Sequence, residues 1–201
     1  MRSTWTQAVD RDAAGNVNKL QILLLVILTA GTNDKSVLKV VGKMRSLGWF
    51  SFDKLAVDDL VERAKLFCEL RHRLLQWGFN FYNQRAAYMM GACYPIKHEF
   101  DEEVLDDFKV EDFFMFPGVD YKVCMLYYDG IGEPKGVAAD RHVIAGVLNL
   151  ELVASEDAYL ITKELESLLP TEFVEDGTTV NYQHEINYVI AGLRQLYQQQ
   201  D

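Results

Sequence analysis

Phe116-Pro117-Gly118-Val119-Asp120-Tyr121-Lys122 is the stretch on which the reading of this chain turns. A Pro-Gly pair is a strong turn signal, because proline presets its own φ and glycine accepts a positive one. Val119, Val123, Leu126 and Tyr127 then recur at helical spacing, so a helix over about 119–129 is expected to follow the turn. Lys122 falls in the first turn of that helix. Eighteen residues later Asp140 stands before Arg141-His142-Val143, where it reads as the N-cap of another helix. With 110–114 read as a short helix upstream, residues 110–130 should form helix-turn-helix.

Working outward, the pattern is helical nearly throughout. Candidate helices cover about 4–12, 18–30, 34–46, 53–76, 80–93, 101–106, 110–114, 119–129, 141–150, 156–168 and 179–198. The helix after Asp34 sets Val37, Leu38, Val40 and Val41 on one side and Lys35, Lys39 and Lys43 at i, i+4 spacing on another. That lysine row suits a solvated helix face or a phosphate track. Leu55, Leu60, Ala64, Phe67, Leu70, Leu74 and Leu75 make a long apolar stripe in the next segment. No alternating strand pattern persists, and no repeat or Gly/Ser linker is evident. The fold class expected from this is all-α.

The apolar run Leu20 to Ala30 is shorter than the roughly 20 residues needed to span a bilayer, and reads as a buried helix. Of the chain's residues, 49% are hydrophobic, enough for a substantial core. The formal net charge is −10 over 201 residues, the wrong sign for non-specific nucleic-acid affinity unless a local basic face supplies it. Glu99, Asp101, Glu102, Glu103, Asp106, Asp107, Glu111 and Asp112 crowd against one Lys109, and read as a solvated acidic face. Cys68, Cys93 and Cys124 are odd in number and widely spaced, so a disulfide framework is not expected and a reducing compartment, nucleus or cytoplasm, is. No metal site is expected: the four histidines are scattered, and His184-Glu185 lacks the second histidine of a zinc motif. Gly130, Gly132 and Gly136 follow a helix rather than a strand, which fits a turn and not a phosphate loop.

Five segments, in order, resemble the helix-hairpin-helix DNA glycosylases of the endonuclease III family. Leu23 to Val37 is similar to the first barrel helix and its loop, and Gly78 to Cys93 to the helix leading to the hairpin. Phe116-Pro117-Gly118-Val119 with Lys122 resembles the hairpin, and Val137-Ala138-Ala139-Asp140-Arg141-His142-Val143 the segment bearing a catalytic aspartate. Leu169 to Phe173, with the segment His184 to Tyr197, resembles the end of the common core.

The resemblance implies a six-helix barrel over 20–133 and a second helical layer from 1–19 and 134–201. It implies that Lys122 attacks the sugar C1′ as a damaged base leaves, with Asp140 stabilising positive charge at the sugar and moving protons. Pro117, Gly118 and Val119 would present backbone N–H groups to a phosphate, with Lys35 and Lys39 as further DNA contacts. Damaged double-stranded DNA is the partner it implies, with no membrane. No cofactor is expected, because the chain ends at Gln200-Asp201 without the four-cysteine loop of the iron–sulfur branch. Two positions depart from the pattern. Asp120 replaces a second hairpin glycine, and Gly31 stands where a glutamine commonly fills the gap left by the flipped base. These departures support an alternative: a glycosylase-like protein without DNA chemistry, serving as a structural or protein-binding component of an assembly.

Overall fold

A computed structural model describes residues 9–29, 34–100, 105, 107–149, 152–153, 155, 157–168, 172–175 and 178–181. Helices are α1 (Lys19–Thr29), α2 (Asp34–Ser46), α3 (Phe52–Leu55), α4 (Leu60–Gln76), α5 (Tyr82–His98), α6 (Tyr121–Ile131), α7 (Arg141–Asn149) and α8 (Ala158–Leu168). A 3-10 helix spans Val110–Met115, and two short strands, β1 (Glu172–Glu175) and β2 (Thr178–Asn181), close the described part. The class is all-α, as the periodicity implies. Two compact units divide the chain between Val123 and Cys124.

Within 2–123, α1 is the core. Every residue from Leu20 to Thr29 is buried, as an all-round apolar helix requires. It packs against α2 and α5, and α5 in turn against α3 and α4. Asn18 caps α1 by accepting from the Gln21 N–H at 2.9 Å. The buried Gln21 amide donates to Asp10 at 2.6 Å and accepts from the Asp10 N–H at 2.9 Å, so its polar atoms are not orphaned. Among the described residues, no helix is long and apolar enough to cross a membrane. In α2, Val37, Val40, Val41 and Met44 turn inward while Lys39 and Lys43 stay exposed. In the 124–201 unit, α7 and α8 pack through Val143, Val147, Ile161 and Leu165, with Val137 and Ala139 closing the same cluster.

Several boundaries differ from the sequence expectation for local reasons. Residues 9–12 form a loop, not the end of a helix over 4–12. The Asp12 carboxylate accepts from the Ala14 and Asn16 N–H groups, and a short-range polar partner of this kind competes with helix. Residues 4–8 lie outside the described residues. The single helix expected over 53–76 is broken at 56–59. Asp59 caps α4 through the Glu62 N–H at 2.8 Å, and Arg63 and Lys97 take up the carbonyls of Val57 and Ala56. Conversely, α5 runs past Cys93 and through Pro95 to His98, with Ile96 fully buried against the cost of the lost donor. At 179–181 there is strand rather than helix. Thr178-Thr179-Val180 supplies β-branched residues, and Val180 pairs with Phe173 in an antiparallel ladder. The remainder of the expected 179–198 helix, most of the 101–106 helix, Gly31 and Leu169-Pro170-Thr171 lie outside the described residues.

Candidate active site

Residues 110–131 are helix-turn-helix. The 3-10 helix Val110–Met115 leads into Phe116, whose carbonyl accepts from the Val119 N–H at 3.2 Å. Pro117 and Gly118 occupy the two central positions, and Gly118 has φ +80°. That is the type II turn, which needs a residue tolerant of positive φ at its third position. An aromatic cluster fixes the incoming limb. The Phe108, Phe113 and Phe116 ring centroids lie 5.5–6.1 Å apart, and Phe113 and Phe116 are buried.

The turn is seated on α5 at two glycines. A β-carbon on Gly91 would come within 2.7 Å of the Pro117 ring. A β-carbon on Gly118 would collide with the ring of Tyr88. Tyr88 and Gly91 are three residues apart on one face of α5, so the hairpin docks on a preformed helical surface.

Past the turn, Asp120 is the N-cap of α6. Its Oδ1 accepts from the Val123 N–H at 2.8 Å. Lys122 is then the second residue of the helix and is half-buried, with Val119 and Val123 tucked beneath it into the core. A cation here opposes the positive end of the helix macrodipole, a placement that local helix stability does not favour. Asp140 repeats the device on α7: its Oδ1 accepts from the Val143 N–H at 2.9 Å and its carbonyl from the Ile144 N–H at 2.9 Å. Asp140 is half-buried. Pro117, Gly118, Val119 and Lys122 are thus brought together on one turn. Asp140 lies in the other compact unit, at a helix start of the same design. Lys39 is exposed on α2, and the backbone of Lys35 opens the same row.

One feature of the surface escaped sequence reasoning. Phe81, just before α5, is 66% exposed and in the left-handed region at φ 54°, the described non-glycine residue with positive φ. A bulky aromatic in that conformation is strained. Its neighbour Asn80 is held by Arg85, whose Nε donates to the Asn80 carbonyl at 2.7 Å. Arg85 is 3% exposed, lies over the Phe79 ring at 5.4 Å, and burial pulls its pKa below the ordinary arginine value. Phe81 precedes Tyr88 by seven residues, two turns or about 10 Å along the helix axis, on the same side of α5. The turn-rich Gly78-Phe79-Asn80-Phe81 run hints at a loop, but neither the handedness nor the exposure of Phe81 can be read from it. Among the described residues, no group of three or more His, Cys, Asp or Glu side chains is arranged to hold a metal.

A type II Pro-Gly turn delivering a lysine to a helix N-terminus, within an all-α chain, defines a helix-hairpin-helix protein. No protein-family profile matches the chain. It is 30% identical over 152 residues to the endonuclease III of Synechocystis; the match takes in 75% of this chain, which spans 64% of the length of that relative. Its fold is similar to that of an endonuclease III trapped as a covalent intermediate with DNA (TM-score 0.63, 21% identity, 81% of this chain and 69% of the other). It is also similar to that of the Methanocaldococcus jannaschii 8-oxoguanine glycosylase/lyase in complex with DNA (TM-score 0.54, 16% identity, 75% and 69%). The chain has the fold of the helix-hairpin-helix DNA glycosylases, and its sequence is similar to that of an endonuclease III.

Proposed function

We propose that this protein is a base-excision DNA glycosylase with an associated lyase step, carried by Lys122 and Asp140. The observation that carries the reading is the placement of Lys122. It is half-buried at the second position of α6, where a cation is locally unfavourable, directly after a turn that fits glycine alone. The relatives named above support it. In this reading the lysine amine bonds to the sugar C1′ as the base departs with the bonding electrons and a proton. The C1′–O4′ bond then opens, O4′ taking a proton, to give an iminium that acidifies C2′; loss of a C2′ proton with departure of the 3′ phosphate breaks the strand. The Asp140 carboxylate stabilises the cationic sugar and exchanges the proton. Backbone N–H groups at Pro117-Gly118-Val119 and the α6 N-terminus bind phosphate, with Lys35 and Lys39 as flanking contacts. The target nucleotide has to leave the stack first.

Phe81 takes the part of the wedge in this proposal. An exposed aromatic on a rigid loop can stack on bases, and Phe81 lies about two helical turns from the hairpin seat. Phe81→Gly is expected to weaken binding to an abasic duplex by about 1–3 kcal/mol. The same change relieves left-handed strain and should raise thermal stability by up to about 1 kcal/mol. Fluorescence anisotropy and a melting curve on one preparation check both; unchanged affinity removes Phe81 from the interface.

Asp120 sets the strength of binding. Its carboxylate already occupies one N–H of the α6 N-terminus and brings a negative charge to the phosphate position. Two unit charges about 4 Å apart repel by about 4 kcal/mol at an effective dielectric of roughly 20. For an exposed group that falls to roughly 1 kcal/mol, about fivefold in affinity. Asp120→Asn keeps the cap and removes the charge. It should tighten DNA binding about fivefold at low salt, with the advantage shrinking as salt rises. Equal affinities at all salt concentrations would mean that no phosphate approaches α6.

A second reading has its own observation. An apolar groove of about 490 Å³ runs between α4 and α5, lined by Leu60, Phe67, Met90, Tyr94 and Pro95, with Arg63 stacked 3.9 Å over the Tyr94 ring. Leu60 in its lining is 74% exposed, and the next residue, Val61, is 64% exposed. Exposed apolar surface of this kind fits a protein-binding role, and with Asp120 it favours the catalytically degenerate structural component. Base release from damaged duplexes by the purified chain separates the two: a glycosylase releases base, and the structural component does not.

A further inference from the structure

We propose that Glu166 is a positioning residue for Asp140, acting through the backbone of Val137; the proposal rests on the glycosylase reading given above. Glu166 lies on α8, one turn after the buried Thr162 and next in sequence to Leu165, which belongs to the apolar cluster shared with α7. Its side chain is only 14% exposed. Apolar packing alone would place a leucine or alanine there, yet the position carries a carboxylate. One carboxylate oxygen accepts from the Val137 N–H at 2.9 Å. The other accepts from the Lys163 ammonium at 2.9 Å.

Val137 lies in the irregular segment, residues 132–140, that ends at Asp140. Its side chain is fully buried and that of Ala139 nearly so. The Val137 carbonyl accepts from the Ala139 N–H at 3.0 Å, which folds the segment tightly. Asp140 follows immediately and starts α7 with both its carboxylate and its carbonyl. The chain of contacts is Lys163, Glu166, Val137, Asp140. With one Asp140 oxygen committed to the Val143 N–H, the aim of the carboxylate is fixed by where α7 begins. That start is set by the segment Glu166 holds. A misplacement of about 1 Å costs a catalytic group up to about a hundredfold in rate.

The test compares the wild-type chain, Glu166→Ala and Glu166→Gln in single-turnover base excision, affinity for an abasic-site duplex, and amide hydrogen exchange. Glu166→Ala should slow excision about 10- to 100-fold while affinity changes less than about twofold, because the duplex is held by the hairpin. It should also speed exchange at Val137, Ala139 and Val143. Glu166→Gln keeps an acceptor oxygen for Val137 and should restore both the rate and the protection, although it loses the Lys163 ion pair. Wild-type excision by Glu166→Ala overturns the proposal. So does a glutamine variant as slow as the alanine one, since charge rather than the hydrogen bond would then matter. If the wild-type protein excises no base, the glycosylase reading fails on its own. The exchange data then decide the contact: unchanged protection in Glu166→Ala overturns it, and protection lost in alanine and restored in glutamine sustains it.

Discussion

Lys122→Ala is expected to abolish the covalent adduct that borohydride traps between the protein and an abasic-site duplex. No neighbouring residue of the hairpin can replace the amine: Asp120 is anionic and engaged as the α6 cap, and Tyr121 is neutral. The variant should be folded and slightly more stable. Alanine is the better helix former, and removing a cation from a helix N-terminus recovers roughly 0.3–1 kcal/mol. Loss of adduct with an equal or higher melting temperature separates chemistry from folding. An adduct from Lys122→Ala at the wild-type rate would assign the nucleophile elsewhere. No adduct from the wild-type protein would remove the lyase step, and base release followed by alkaline strand cleavage would then test a glycosylase without it.

Gly118→Ala carries the second large effect, on the fold itself. The φ of +80° costs an L-residue roughly 1–2 kcal/mol, and the β-carbon would enter the Tyr88 ring, adding roughly 1–3 kcal/mol of overpacking. The sum, about 2–5 kcal/mol, corresponds to a fall in Tm of about 4–20 °C for a chain of this length. Gly15→Ala is the control. Its φ of +88° is as demanding, but nothing lies within 4 Å of the added carbon, so only the backbone cost of about 1–2 kcal/mol should appear. Equal losses at the two positions would show that Tyr88 yields freely and that the seat on α5 is soft. Tyr88→Ala combined with Gly118→Ala should recover part of the loss if the collision is real.

Much of this architecture is written in local signals. Asn18, Asp59, Asp120, Asp140 and Asp157 each accept the N–H that an N-cap residue should, so five helix starts are marked by residue type alone. Pro117-Gly118 marks the hairpin for the same reason: φ preferences belong to the residues themselves. The errors fall where local preference was overruled or tied. The 53–76 stripe is periodic across a break that capping and long-range contacts from Arg63 and Lys97 impose. The β-branched run at 178–180 reads equally as strand or helix until it meets a partner, and Phe173 opposite Val180 supplies one.

The sequence by itself therefore determined the helical class, the turn at Pro117-Gly118, the entry of Lys122 into the first turn of α6 and the start of α7 at Asp140. Each depends on contacts within about four residues. The tertiary structure alone decided what surrounds them. That the turn sits on Gly91 and Tyr88 depends on contacts across some 30 residues of chain. The direction of the Asp120 carboxylate follows from the helix it caps. The Asn80 carbonyl held by the buried Arg85 beside the exposed left-handed Phe81, and the Glu166 carboxylate on Val137, are pairings whose partners no periodicity names. Their geometry is fixed by packing, which acts between elements, and a local pattern carries no record of it.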